Sequence, residues 1–182
     1  MKFKDLIHLF YSDCKRYNYS LFRGITFSLL GIGPIQSVFF YRVSRFCYLN
    51  KLCGIHAIIN RMNIILNNCE INPQCSIGSG LRIAHSTGIV IGNNATLGNN
   101  ITLFHNTTIG AKTPYDGKVL MPKISDNVTI YTHSTILGDI FIGKNCTIGS
   151  HIFLVKDLED YTTLFLDKNM SLVEKKNNRR EQ

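Results

Sequence analysis

The chain has 182 residues, of which 45% are hydrophobic and 18% charged, and its formal net charge is +8. This composition is that of a folded protein rather than a disordered one, and the length allows one domain with a smaller appendage. The six cysteines form no CxxC pair, which argues against a zinc site or a disulfide framework and favours a reducing, cytoplasmic setting.

Residues 1–65 are predicted to form a helical N-terminal region. They contain twelve of the nineteen aromatic residues, and nine Lys or Arg against only Asp5 and Asp13. An uncharged run from Gly24 to Tyr41 approaches the length of a membrane span, but glycine and proline interrupt it, so we expect two short helices instead. The favoured interpretation is a helical cap that packs on the rest of the chain or on a neighbouring subunit. The alternative is a basic, aromatic surface that contacts anionic lipid at the inner face of a membrane.

From residue 71 onward, aliphatic residues recur every six positions, in three successive runs. There are fourteen such positions: Ile71, Ile77, Ile83, Ile89, Ile91, Leu97, Leu103, Ile109, Ile124, Ile130, Ile136, Ile142, Ile148 and Leu154. Each hexad fits one short strand with its aliphatic side chain pointing inward, followed by a tight corner at glycine or asparagine. Three hexads make one triangular coil, and stacked coils make a parallel β-helix. We therefore predict a mainly β fold: a β-helix over 66–157 with a small helical region before it and a C-terminal cap and basic tail over 158–182.

Two irregularities interrupt the repeat. The register shifts by two residues between Ile89 and Ile91, and the segment 110–123 departs from the pattern as a loop. Loops that leave a rigid scaffold are frequent places for function.

His85 and His105 occupy the same outward position in hexads that are one coil apart, so their imidazoles are predicted to be neighbours. A neutral imidazole can accept a proton from a hydroxyl as that hydroxyl attacks a carbonyl, provided that a nearby group orients the ring. Glu70 is the acidic residue nearest to His85 in the same coil. These positions predict a catalytic pair in which His85 is the general base and Glu70 orients it. The alternative to a catalytic role is a surface histidine with a purely structural role. We favour this structural interpretation for His133 and His151.

The segments 69–111 and 121–150, and above all HSTGIVIG at 85–92, resemble the hexapeptide-repeat O-acetyltransferases. The resemblance is to the serine acetyltransferase branch and its shorter relatives that acetylate capsular, colanic-acid or exopolysaccharide sugars. It implies a left-handed β-helix, a homotrimer and acetyl-CoA as the acyl donor without a metal. It also implies that His85 is the general base with Glu70 as its partner, and it places the arm of acetyl-CoA in a groove beside Gly110, Ala111, Thr132, Ser150 and Lys156.

The resemblance also bears on the acceptor. Serine acetyltransferases have Arg-His-Pro at the end of the loop and a longer helical N-terminal part, whereas this chain has Leu120, Met121 and Pro122 after a short helical region. These departures favour a sugar hydroxyl of a surface glycan or its precursor as the acceptor, with His105, Tyr115 and Met121 as substrate-binding residues. The alternatives are a serine O-acetyltransferase of cysteine biosynthesis and a non-catalytic β-helix scaffold that docks at a membrane. Nucleic acid is not an expected partner, because the basic residues follow no recognition motif.

Overall fold

The computed structural model describes residues 1–112 and 120–177. In this part of the chain, four helices precede fifteen short strands. The helices are α1 (Phe3–Lys15), α2 (Leu21–Leu29), α3 (Ile35–Leu49) and α4 (Ile55–Asn67). The strands are β1 (Cys69–Ile71), β2 (Ser76–Ile77), β3 (Arg82–Ile83), β4 (Ile89–Ile91), β5 (Thr96–Leu97), β6 (Thr102–Leu103), β7 (Thr108–Gly110), β8 (Lys123–Ile124), β9 (Thr129–Ile130), β10 (Thr135–Leu137), β11 (Phe141–Ile142), β12 (Thr147–Ile148), β13 (Phe153–Leu154), β14 (Thr162–Leu166) and β15 (Leu172–Lys176).

The strands form a parallel β-helix with three faces, which confirms the predicted mainly β solenoid. One face is a sheet of strands in the order β1-β4-β7-β10-β13, the second has the order β11-β8-β5-β2, and the third has the order β15-β14-β12-β9-β6-β3. From β1 to β13, every third strand along the chain therefore returns to the same face, one coil further on. All pairings are parallel except that of β14 with β15, which is antiparallel.

The core of the β-helix is the aliphatic column that the six-residue period predicts. All fourteen predicted inward residues are buried, and none is more than 4% exposed. Burial of an aliphatic side chain of this size contributes roughly 1.5–3 kcal/mol. The repeated burial on every face explains why two-residue strands suffice to hold each coil in place.

The predicted register shift lies at the corner between β3 and β4. Eight positions separate Ile83 from Ile91, whereas six separate their strand partners Leu103 and Ile109, so this corner contains two additional residues. Gly88 sits in this corner with φ +72, and a Cβ atom there would lie 1.9 Å from Oδ1 of Asn106. Glycine suits position 88, because a Cβ there would be accommodated only if the side chain of Asn106 in the next coil moved.

The helices cover the first coil, and a buried ion pair joins the two parts. Arg42 of α3 donates to both carboxylate oxygens of Asp13 in α1, at 2.7 and 2.9 Å, and to the carbonyl oxygens of Ile77 and Gly78. Asp13 also accepts a hydrogen bond from the backbone N–H of Leu81 at 2.7 Å. This network fixes the helices on the open end of the solenoid.

The two ends of the solenoid differ. At the start, α4 ends at the left-handed residue Asn68 (φ 48), which turns the chain directly into β1. At the far end, β14 pairs with β12 and is covered by β15 in an antiparallel hairpin. This hairpin lies within the segment that the sequence assigns to a C-terminal cap. No helix among the described residues is both long and apolar enough to traverse a bilayer.

Candidate functional site

His85 lies at the widened corner between β3 and β4, and its side chain is exposed. It borders an open cleft of about 410 Å³. The other walls come from the turn between α2 and α3, the end of α4 and the corner itself, and they comprise Gly31, Gly33, Pro34, Ile65, Leu66, Asn67, Asn68, Ser86 and Thr87. The helices thus form one side of the cleft and the β-helix the other. A small polar molecule that enters the cleft reaches the imidazole directly.

Glu70 lies on β1, beside the corner that carries His85. It pairs in register with Val90 of β4, and the N–H of Gly88 donates to the carbonyl oxygen of Asn68 at 2.7 Å. The beginning and the end of the first coil therefore meet here. The Glu70 side chain is exposed, and the ion pairs of the described residues do not include one between Glu70 and His85. Its orienting role stays a prediction.

Strand register brings four of the predicted site residues into one column. Ile83 pairs with Leu103, Leu103 with Ile130, and Ile130 with Ile148. Two residues after each of these partners come His85, His105, Thr132 and Ser150. The column runs along one corner of the solenoid, with successive residues roughly 4.7–4.9 Å apart. The predicted base and two predicted acyl-donor contacts thus face the same side of the molecule.

Imidazole rings extend along this corner. The ring of His105 lies edge-on to that of His85, with centroids 5.7 Å apart, so the two predicted neighbours are indeed in contact. His105 is also edge-on to His133 at 5.3 Å, and His133 stacks on His151 at 4.8 Å. The Nδ1 atom of His105 is buried and has no hydrogen-bond partner among the described residues.

The other predicted acyl-donor contacts lie on neighbouring surfaces. Gly110 ends β7, where its carbonyl oxygen accepts from the N–H of Gly138 at 3.0 Å, and Ala111 follows it half-buried. Lys156 follows the last short strand of the solenoid, and its Nζ is 2.9 Å from a carboxylate oxygen of Glu174 in β15. A phosphate that binds to Lys156 would have to compete with that carboxylate.

The loop 110–123 contains two of the predicted contacts with the acceptor substrate, Tyr115 and Met121. Tyr115 lies outside the described residues. Met121 is 6% exposed, and its terminal methyl carbon lies 2.7 Å from the position that a Cβ on Gly92 would occupy. Met121 therefore fills space between coils in the single chain, and its predicted contact with the acceptor stays a prediction.

A hydrogen-bonded group that the sequence did not predict lies next to the column. Nδ2 of Asn106 is 2.9 Å from Nε2 of His133, and Nδ1 of His133 is 2.6 Å from Oγ1 of Thr132. Asn106 and His133 are both left-handed corner residues, with φ of 55 and 59. The signal in the sequence was that a polar residue stands at this corner in successive coils. Within residues 1–112 and 120–177, no group of three or more His, Cys, Asp or Glu side chains is placed to hold a metal ion.

Similar proteins identify the kind of solenoid. No family model matches the chain. A serine acetyltransferase of Bacillus pumilus is 32% identical over 136 residues, which are 75% of this chain and 62% of that protein. A serine acetyltransferase of Buchnera aphidicola is 32% identical over 124 residues, 68% of this chain and 48% of that protein. The chain thus spans about half to three fifths of the length of these relatives.

Solved structures agree with these relatives. The serine acetyltransferase of Neisseria gonorrhoeae superposes with a TM-score of 0.81 at 25% identity, over 98% of this chain and 71% of that one. A soybean serine acetyltransferase in complex with serine gives 0.80 at 26% identity, over 93% of this chain and 70% of that one. The fold and the stacked corner define a hexapeptide-repeat β-helix protein. In sequence and in fold the chain is related to the serine acetyltransferases.

The comparison corrects the expected acceptor. The sequence departures favoured a glycan acetyltransferase of the capsular or colanic-acid type, and this preference is wrong, because the relatives and solved structures named above are serine acetyltransferases. The same comparisons do not support the expected carbohydrate partner or a role in capsule formation. A physical reason for the error is that Met121, which was taken to exclude serine, is buried in the core of the chain.

Proposed function

We propose that the chain transfers the acetyl group of acetyl-CoA to the hydroxyl of serine. The observation that carries the proposal is the exposed His85 imidazole, which stands at the mouth of a cleft and at the head of the column that continues through His105 and Thr132. The relatives support serine as the acceptor by their names and by 32% identity. The cleft suits a small polar acceptor because amide and hydroxyl side chains line it beside the imidazole.

In the proposed reaction, His85 accepts the proton of the serine hydroxyl as the hydroxyl oxygen attacks the thioester carbonyl carbon. The tetrahedral intermediate carries a negative oxygen, which a backbone N–H near Gly110 or Ala111 would stabilise. Collapse of the intermediate breaks the carbon–sulfur bond, and the departing thiolate takes the proton from His85. Glu70 would hold the ring and favour its charged form during the reaction. The products are O-acetylserine and CoA with a free thiol.

We also propose that the chain acts as a homotrimer. Apolar residues of α4 recur on one side of the helix and are left uncovered in the single chain: Ile55, Ile58, Met62, Ile65 and Leu66 are 46%, 63%, 42%, 69% and 58% exposed. Helices that present such a stripe normally bury it against another element. Part of this stripe also borders the cleft at His85, so a neighbouring copy would lie next to the reacting groups.

Replacement of His85 by Ala tests the proposed base. The wild-type protein should release CoA from acetyl-CoA when L-serine is present, and His85→Ala should lose about 10²–10⁴-fold in kcat. His8→Ala is the control, since His8 is an exposed histidine of α1 outside the column that begins at His85. Light scattering should give three times 20.6 kDa for all three proteins, which excludes misfolding as the cause. Turnover retained by His85→Ala would refute the role of His85, and a wild-type protein that is inactive with serine would refute the acceptor.

A further inference from the structure

The hydrogen-bonded group at Asn106, His133 and Thr132 has a definite direction. The side-chain NH₂ of Asn106 can only donate, so Nε2 of His133 must be the acceptor of the 2.9 Å hydrogen bond. A neutral imidazole that accepts at Nε2 carries its proton on Nδ1. This Nδ1–H therefore donates to Oγ1 of Thr132, 2.6 Å away. In the described part of the chain the Thr132 hydroxyl makes this one side-chain hydrogen bond, so its own hydrogen is left for an acceptor outside the chain.

The position of Thr132 determines what it can reach. It occupies the same column as His85, two coils further along the solenoid, which corresponds to roughly 10 Å at the usual spacing of strands. The arm of acetyl-CoA is extended and contains two amide groups, and its thioester must be close to His85 for transfer. At this distance from the thioester the arm presents an amide carbonyl oxygen, which accepts hydrogen bonds.

We infer that Asn106 and His133 are positioning residues that orient the Thr132 hydroxyl as a hydrogen-bond donor to an amide carbonyl of the acyl donor. The inference rests on the proposed use of acetyl-CoA. His133 acts through Thr132 and not on the reacting atoms, so its loss should weaken the binding of acetyl-CoA and leave the chemical step intact. Asn106 fixes the tautomer of His133, and the rings of His105 and His151 on either side of His133 restrict its rotation.

The backbone at position 133 allows substitutions that separate this role from folding. His133 has φ 59, a conformation that Gly adopts freely and Asn tolerates well. His133→Gly removes the ring without backbone strain. His133→Asn keeps an N–H donor at the place of Nδ1, while Thr132→Val removes only the hydroxyl. Asn127→Gly is the matched control, because Asn127 has the same left-handed conformation (φ 59) at another corner of the same coil.

Acetyl-CoA binding by calorimetry and steady-state kinetics test the inference together. Thr132→Val and His133→Gly should each raise Kd and KM for acetyl-CoA about three- to tenfold, the range expected for one hydrogen bond, with kcat within about twofold of wild type. His133→Asn and Asn127→Gly should stay within about twofold of wild type in both constants. The double variant Thr132→Val/His133→Gly should bind no more weakly than Thr132→Val alone, since both changes remove the same interaction.

Three results would overturn the inference: additive effects in the double variant, unchanged Kd in His133→Gly, or a His133 ring that carries its proton on Nε2 in a long-range ¹H–¹⁵N correlation spectrum. A protein that does not bind acetyl-CoA would overturn it as well. A protein that binds acetyl-CoA but releases no CoA with serine would refute the proposed acceptor alone, because the calorimetric comparison needs no acceptor.

Discussion

Three cysteines contribute small side chains to the core of the solenoid. Cys69, Cys75 and Cys146 occupy hexad positions where a small side chain fits between coils, and each is at most 1% exposed. Burial raises the pKa of the Cys75 thiol to about 11 and that of Cys69 to about 12. The thiolate is the reactive form, so these residues act as small apolar groups and not as nucleophiles.

Thiol labelling should therefore distinguish one cysteine from the other five. Cys53, in the turn between α3 and α4, is exposed, whereas the remaining five are buried. We expect the folded protein to react rapidly with about one equivalent of an aromatic disulfide reagent per chain, and all six thiols to react in denaturant. Cys53→Ser should abolish the fast phase. A second fast equivalent in the native protein would show that one of the buried thiols is accessible.

At the scale of elements, the attachment of the helices to the β-helix depends on a few polar contacts. Arg42 and Asp13 are 1% and 0% exposed, and between them they satisfy two carbonyl oxygens and one N–H of the first coil. Burial raises the pKa of Asp13, while Arg42 and the N–H of Leu81 oppose that rise. A buried pair of this kind stabilises little overall, but the loss of one partner leaves an unpaired group in the interior.

Arg42→Met should consequently lower the free energy of unfolding by about 3–5 kcal/mol. The unpaired Asp13 carboxyl would favour its neutral form, so the deficit should be smaller at about pH 4 than at about pH 7. Urea unfolding at both pH values measures this difference. Lys144→Ala is the control: Nζ of Lys144 is 3.8 Å from Asp160, both side chains are about half exposed, and the change should be below about 1 kcal/mol. Equal losses in the two variants would contradict the expectation.

The solenoid was predictable from sequence because its period is local, whereas the cap and much of the site were not. Every sixth residue must enter the core, and the register of Ile83 with Leu103 then makes His85 and His105 neighbours. No period encodes the contact between Asp13 and Arg42, which joins residues 29 positions apart. His133 was overlooked as a hydrogen-bonding group because it stands at a corner, where a structural role is the usual one, and its partner Asn106 is in another coil.

For the whole molecule, the distribution of charge separates the two parts of the chain. Residues 66–182 contain eleven Lys or Arg and ten Asp or Glu, so they are nearly neutral. In residues 1–65 Asp13 is buried against Arg42, which leaves Asp5 as the acidic side chain among eight further basic residues. In the same region, Phe3 at the start of α1 and Phe22 near the start of α2 are 66% and 81% exposed. A region that combines an excess of positive charge with exposed aromatic side chains is suited to an anionic lipid surface.

We therefore expect the protein to sediment with vesicles that contain phosphatidylglycerol and to remain in the supernatant with pure phosphatidylcholine. Raising the ionic strength to about 0.5 M should release most of the bound protein from the vesicles. At that salt concentration the Debye length is only about 4 Å, so the attraction between basic side chains and anionic lipid is screened. Phe22→Ser should weaken the binding several-fold. Phe153→Ser is the matched control, since Phe153 is 64% exposed on β13 of the nearly neutral solenoid. Equal binding to vesicles with and without phosphatidylglycerol would contradict this expectation. So would an equal loss of vesicle binding in Phe22→Ser and Phe153→Ser.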